Sequence, residues 1–448
     1  MSTIEQIAAQ LQGYDPQAMT ADGVQDFLAR LVTPVRDVLE LPLFEALGRV
    51  LAADVISPFD VPPHDNSAMD GYAFSGSQLA PDAALELRVI GTALAGKAWQ
   101  GSVLPGQCVK IMTGAVMPAG LDTVVPQEFV QLNRSGDVER ITIPVGLLRT
   151  GDNRRLRGED LAQGKAALQK GELLTPARLG LAASLGLETV KTWRPLRVAY
   201  FSTGDEILSL GEAPREGAVY DSNRYTVFGL LSRLGCQVID MGVVRDDPAL
   251  LEAAFTDAAA QADAIITSGG VSVGEADYTK AMMKKLGDVA FWRIAMRPGR
   301  PMAVGRISSI KSAFSAYPAS TGSYGKSSNE QGAMLFGLPG NPVAVMVTFL
   351  AFVRPALLRM MGAKPEPTLL LKAHSTEAIR KKPGRTEYQR GRVSTAPDGS
   401  LQVKTTGSQG SGVLRSMAEA NGLIVLHHGQ GNVAVGDEVD VMMFDGAM

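Results

Sequence analysis

Apolar residues in the first 55 positions recur at steps of three and four, as in VQDFLARL and FEALGRVLA, a spacing that predicts amphipathic helices. From Val55 to about Thr150 the rhythm shortens. Runs such as LELRVIG and VVPQEFV favour β structure and are broken by Gly and Pro, so residues 56–150 read as a mostly β module. TPARLGLAASLG returns to helix, with Thr175 placed to cap it and Pro176 at its first position. Residues 1–55 and 151–190 therefore read together as a helical and extended linker region.

A different rhythm fills residues 191–365. RVAYFS, RYTVFGLLSRL, CQVIDMGVV, PALLEAAFTDAAA, ADAIIT and DYTKAMMKKL alternate strand with helix, the mark of βαβ units and a parallel sheet covered on both faces. A long helix from about Pro342 to Met361 closes this segment. Within it, residues 307–333 are rich in Ser, Gly and Ala and read as a flexible insertion. From 366 to 448, LLLKAHS, TEYQRGRVS, LQVKTTG, GLIVLHH and DEVDVMMF predict a small C-terminal β domain or barrel. The fold class is α/β plus β modules in a multidomain chain, as its 448 residues exceed what one core holds.

A net charge of -3 gives no reason to expect a nucleic-acid partner. MSTIEQIAAQLQGYD lacks the order of a secretory signal and no apolar stretch looks long enough for a bilayer, so no membrane partner and a cytoplasmic location are expected. Cys108 and Cys236 sit among apolar neighbours and read as packing thiols, and the four histidines have no zinc-type spacing.

In an open parallel sheet, ligands bind beyond the carboxyl ends of the strands. Three loops there are unusually polar: Thr203-Gly204-Asp205-Glu206, Arg245-Asp246-Asp247, and Ser268-Gly269-Gly270 running on to Glu275 and Asp277. Glycines let main-chain N–H groups approach a phosphate closely. Carboxylates gathered beside an anion need a cation, and hard oxygen ligands point to Mg²⁺. Asp246 and Asp277 lead as ligands, with Glu206 beside them; Asp247, before Pro248, could simply cap a helix. Basic character comes from FWRIAMRPGRP, where two prolines stiffen a loop carrying Arg293, Arg297 and Arg300, whose forks suit tetrahedral oxyanions. LPGNPVAV sets Pro339, Gly340, Asn341 and Pro342 at a helix start that can hold an anion. GTALAGK, residues 91–97, imitates a phosphate loop but is followed by Ala98 and no helix signal, and is set aside.

The segments VPPHDNSAMDGYAF, IMTGAVMPAGLDTVVPQE, LRGEDL, YFSTGDEI, VYDSNRY, TSGGVSVGEADYTK, RPGRP, LPGNPV and EYQRG follow one another in the order found in the molybdopterin molybdenumtransferases, the MoeA and gephyrin E-domain family, which the chain resembles from about residue 20 onward. The resemblance implies Mg²⁺-dependent insertion of molybdate into adenylylated molybdopterin, with AMP leaving. It puts Glu206, Asp246 and Asp277 at metal and substrate positions, with Arg297 in the basic loop. Arg390 and Ser411 fall in a molybdate pocket, and Thr113 belongs to the β module as a substrate residue. Asp65 would be offered across a homodimer into the partner's active site. A molybdopterin adenylyltransferase is the implied upstream partner. Two departures stand out: the family commonly writes the basic loop KPGKP, and often has Ser where this chain has Ala344. The alternatives are a molybdopterin adenylyltransferase or a non-catalytic scaffold like gephyrin.

Overall fold

A computed structural model describes residues 3–271, 278–308 and 332–444. The chain divides into two compact units. One comprises residues 1–52, 171–175 and 191–448, the other residues 53–170 and 176–190. The linker region read from the sequence is thus split between them. Residues 1–52 join the first unit because Val24, Phe27, Leu28 and Leu31 of the helix Ala21–Leu31 are buried in its core. Residues 151–170 join the second through short pairings, such as Arg154 with Ser67 and Leu168 with Val55.

The first unit is organised by a six-stranded sheet. Its strands are β1 (Arg197–Thr203), β2 (Gln237–Val244), β3 (Ala264–Ser268), β4 (Gly287–Arg293), β5 (Pro301–Ile307) and β6 (Ala333–Leu338), lying in the order β2-β1-β3-β6-β5-β4. Alternate residues face opposite sides. Val198, Tyr200, Ala264, Ile266, Met334 and Phe336 meet the helices Ser222–Arg233 and Pro342–Met360, while Ala199, Phe201, Ile265 and Leu335 meet Pro248–Gln261 and Tyr278–Leu286.

The sheet is mixed, a correction to the all-parallel expectation. β5 runs antiparallel to both β4 and β6. Only seven residues separate β4 from β5, too few for the helical crossover that a parallel pair requires. The 307–333 insertion read from the sequence joins β5 to β6; residues 309–331 lie outside the described residues.

The helix read into FEALGRVLA is also absent. Leu43–Glu45 form one 3₁₀ turn, Gly48 takes a φ of 72°, and the N–H groups of Gly48 and Leu51 donate to Leu174 and Glu172 in an extended pairing. Contrary to expectation, one helix, Pro342–Met360, is long and apolar enough to cross a bilayer; most of it is buried inside the protein as a core element.

Within the same unit, five strands close into a barrel: Leu371–Ser375, Thr386–Thr395, Leu401–Thr405, Gly422–Leu426 and Glu438–Met443. Closure comes from Thr386–Thr395 pairing with both Leu401–Thr405 and Gly422–Leu426. The second unit holds its own six-stranded sheet, mostly antiparallel. Cys108 lies in its core, and burial pushes its thiol up to about 12, consistent with a packing role. Gly91 and Lys97 lie on a strand and the turn after it, with no helix following, so the phosphate-loop imitation is no nucleotide site.

Candidate active site

β2 and β3 flank β1 on opposite sides, so the winding reverses between the carboxyl ends of β1 and β3. Doubly wound sheets bind ligands at that crevice. Thr203-Gly204 ends one strand and Ser268-Gly269-Gly270 the other. Gly269 has a φ of 93°, and a Cβ there would lie 2.5 Å from the Thr203 carbonyl oxygen. Only glycine lets the two loops touch. The Gly269 N–H donates to the Leu338 carbonyl at 3.1 Å, which draws in the turn Pro339-Gly340-Asn341 after β6. Pro339 is buried and Pro342, at the first position of the following helix, half-buried.

Three buried polar atoms at these strand and helix ends, Thr203 Oγ1, Asp221 Oδ2 and Asn223 Oδ1, have no hydrogen-bond partner among the described residues. Such atoms are costly to leave unmet unless a water, an ion or a ligand reaches them. Asp221 caps the helix Ser222–Arg233 by accepting from the Arg224 N–H at 3.0 Å, and Asn223 Nδ2 donates to the Gly340 carbonyl at 2.7 Å. Sequence reasoning assigned neither residue a role, although a polar triplet at a helix start after a βα loop was a usable signal. Ser268 brings its main chain, not its hydroxyl: the side chain is buried in a cluster with Tyr200 (2.7 Å) and Ser202 (3.1 Å).

The acidic loops meet in part. The Asp246 N–H donates to Asp205 Oδ1 at 3.3 Å, and Arg245 Nη1 donates to the Asp205 carbonyl at 2.9 Å, so the loops after β1 and β2 touch. The exposed Glu206 folds its carboxylate back over Gly204, with Oε2 2.5 Å from where a Cβ would stand. Asp247 is a helix cap, accepting from the N–H groups of Ala249 and Leu250. Asp277 lies outside the described residues. Among the described residues no three His, Cys, Asp or Glu side chains gather as a metal site.

The basic loop runs from the end of β4 to the start of β5, and Arg293, Arg297 and Arg300 are exposed. It is fixed from two directions. Met296 and Arg297 pair in parallel with Thr386 and Glu387 of the barrel, and the buried Gly299, at a φ of 93°, sits where a Cβ would lie 2.5 Å from Thr348 Oγ1. Barrel and α/β sheet therefore meet beside the helix that starts at Pro342. The half-buried Ser411 also reaches this place, its carbonyl accepting from the Val343 N–H at 3.1 Å. Arg390 lies differently from the oxyanion fork expected of it. It is 1% exposed, and its guanidinium donates to the carbonyls of Ser408, Gln409 and Gly410 and to Ser416 Oγ. Ala344 is buried.

In the second unit, Thr113 donates through both N–H and Oγ1 to Asp70 Oδ1 at 2.7 Å, and these bonds hold the Asp70 carboxyl below its usual range. Asp65 accepts from the Arg157 N–H at 2.8 Å and lies 3.7 Å from Arg154.

Three family models cover most of the chain: the MoeA N-terminal region over residues 19–186, a probable molybdopterin-binding domain over 199–359, and the MoeA C-terminal region over 372–444. A molybdopterin molybdenumtransferase of Haemophilus influenzae is 41% identical over 90% of this chain and 93% of its own length. One from a Nostoc species is 35% identical over 91% and 89%. A solved molybdopterin biosynthesis MoeA protein from Pyrococcus horikoshii superposes with a TM-score of 0.73 at 26% identity, covering 95% of this chain and all of that one. Strand-end loops, basic loop and barrel occur together in one chain that matches over its full domain order, and it belongs to the molybdopterin molybdenumtransferase (MoeA) family.

Proposed function

We propose that this chain is a transferase of molybdenum cofactor biosynthesis that inserts molybdate into adenylylated molybdopterin and releases AMP. The observation that carries this reading is the switch-point crevice, where close-packed glycine turns and the unmet Thr203, Asp221 and Asn223 atoms adjoin two touching acidic loops. Main-chain N–H groups around Gly269 and Gly270 suit the phosphate-bearing end of the substrate, because they approach it without a Cβ in the way. The exposed arginines 293, 297 and 300 supply positive charge for an oxyanion.

Mg²⁺ fits this donor set. It is usually held by one or two carboxylates, with substrate phosphates and water completing its shell. Glu206 and Asp246, with Asp277, would hold it, and the ion would supply charge neutralisation at the pyrophosphate link. Asp205 positions the Asp246 loop through its side chain, Oδ1 accepting from the Asp246 N–H at 3.3 Å. Supply of the adenylylated pterin by a molybdopterin adenylyltransferase, a cytoplasmic location, and a homodimer in which Asp65 serves the partner subunit complete the proposal. The deciding assay gives the purified chain adenylylated molybdopterin with and without molybdate. AMP release that depends on molybdate is expected; pyrophosphate release from ATP and molybdopterin would instead make it an adenylyltransferase.

A further inference from the structure

Three hydroxyls near the carboxyl ends of β1 and β3 face the same way. Ser202 and Ser268 are register partners in the parallel pair, and Tyr200 lies two residues before Ser202. Alternation therefore puts all three on the sheet face covered by the helices Ser222–Arg233 and Pro342–Met360. Tyr200 Oη is 2.7 Å from Ser268 Oγ and 2.9 Å from Ser202 Oγ, and the two serine oxygens are 3.1 Å apart. All three residues are buried.

Each hydroxyl carries one proton. Two serines alone share one hydrogen bond, and the second proton must find an acceptor elsewhere, which is costly in a sealed interior if none is there. The tyrosine removes the surplus. Three protons and three oxygens close into a ring in which each group donates once and accepts once. Tyr200 does not leave the ring by ionising, because burial, with the nearby Asp221 charge adding to it, pushes its phenol well above the usual range.

This ring lies at the foot of the crevice. Ser268 is followed directly by Gly269 and Gly270, whose φ values are 93° and 65°. Two successive glycines leave the turn little stiffness of its own. It is held instead from outside, at one point by the Gly269 N–H donating to the Leu338 carbonyl at 3.1 Å, and at its first residue by the Ser268 side chain locked in the ring.

We propose that Tyr200 is a positioning residue for this crevice: its hydroxyl closes the ring that anchors Ser268, and through it the Ser268-Gly269-Gly270 turn, in the orientation that receives the phosphate-bearing end of the substrate. This rests on the transferase reading for what the crevice binds.

Calorimetric titration of the full chain with inorganic pyrophosphate and Mg²⁺ tests it, beside thermal unfolding and the KM and kcat of AMP release. Tyr200→Phe keeps the aromatic packing and removes one oxygen. Two of the three bonds go, so Tm should fall by about 2–12 °C. Pyrophosphate affinity should drop, and KM for the adenylylated pterin rise, by roughly tenfold with kcat little changed, the equivalent of one hydrogen bond to a charged group. Ser268→Ala cuts the same ring and should cost about the same factor. Because both changes act through one ring, the double variant should bind no more weakly than the weaker single one.

Wild-type affinity and KM in Tyr200→Phe, with only Tm lowered, overturn the proposal and leave the ring a packing device. Losses that multiply in the double variant make the Ser268 hydroxyl a direct ligand and overturn it too, as does a wild type that fails to bind pyrophosphate. Should Tyr200→Phe fail to fold, Ser202→Ala opens the ring without touching Ser268: a lowered affinity there supports the anchor and an unchanged one overturns it. Absence of molybdate-dependent AMP release would instead remove the transferase reading, while pyrophosphate affinity, measured without turnover, would still decide the role of Tyr200.

Discussion

Gly269→Ala is the sharpest single perturbation of the crevice, because two independent costs fall on one methyl group. The first is conformational. A φ of 93° is poorly accessible to alanine, and holding a residue in such a region costs about 1–3 kcal/mol. At about 2–4 °C per kcal/mol for a domain of about 150–250 residues, that lowers Tm by roughly 2–12 °C. The second is geometric. The new Cβ would lie 2.5 Å from the Thr203 carbonyl oxygen and 2.9 Å from Thr203 Oγ1, and the carbonyl is backbone that cannot swing aside. The loops after β1 and β3 must separate by about 1 Å, a misplacement that can cost about 100-fold in rate when it displaces a bound substrate from its reacting partner. Gly340→Ala is the matched control, since its nearest neighbour would be 3.8 Å away and its φ is ordinary. Its stability should stay within about 0.5 kcal/mol of wild type. Thermal unfolding and AMP-release kinetics on the three proteins give the answer. A Gly269→Ala protein with unchanged Tm and turnover would refute the claim that these two loops must touch.

Asp246→Asn should abolish the Mg²⁺ dependence of AMP release with a Tm close to wild type, and Glu206→Gln should act likewise; a magnesium titration of both variants checks this, and an unaltered response in each removes these carboxylates from the metal site. If the chain works as a homodimer with Asp65 acting in trans, mixing Asp65→Ala with Asp277→Asn subunits should return up to about a quarter of wild-type turnover, because half the dimers are mixed and each holds one intact site. Inactive heterodimers, shown by tagged co-purification to have formed, would count against that arrangement.

The sequence announced the strand-end loops for a simple reason. A buried strand is a continuous apolar run, so a Gly or carboxylate directly after it marks both the end of the strand and the start of a ligand edge, as at Thr203-Gly204 and Ser268-Gly269. The antiparallel β5 was harder to read, because PMAVGRI has the same apolar pattern in either direction. Only the short link from Arg293 to Pro301 betrays its reversal. Side-chain direction was harder still. Ser268 and Thr203 each end a buried strand, yet the Ser268 hydroxyl turns inward to Tyr200 while Thr203 Oγ1 is left without a partner among the described residues.

Arg390 is the limiting case. In EYQRG the alternation of a strand fixes only which face the arginine takes, and on that face it could meet an oxyanion or the protein's own carbonyls. What decides is a loop 18 to 20 positions further along the chain, whose three carbonyls turn toward the guanidinium. A motif can therefore place a cation on one face of a strand while leaving open whether it meets a ligand or the protein's own carbonyls. The same residue pattern serves either role, and only the direction of three peptide units distinguishes them.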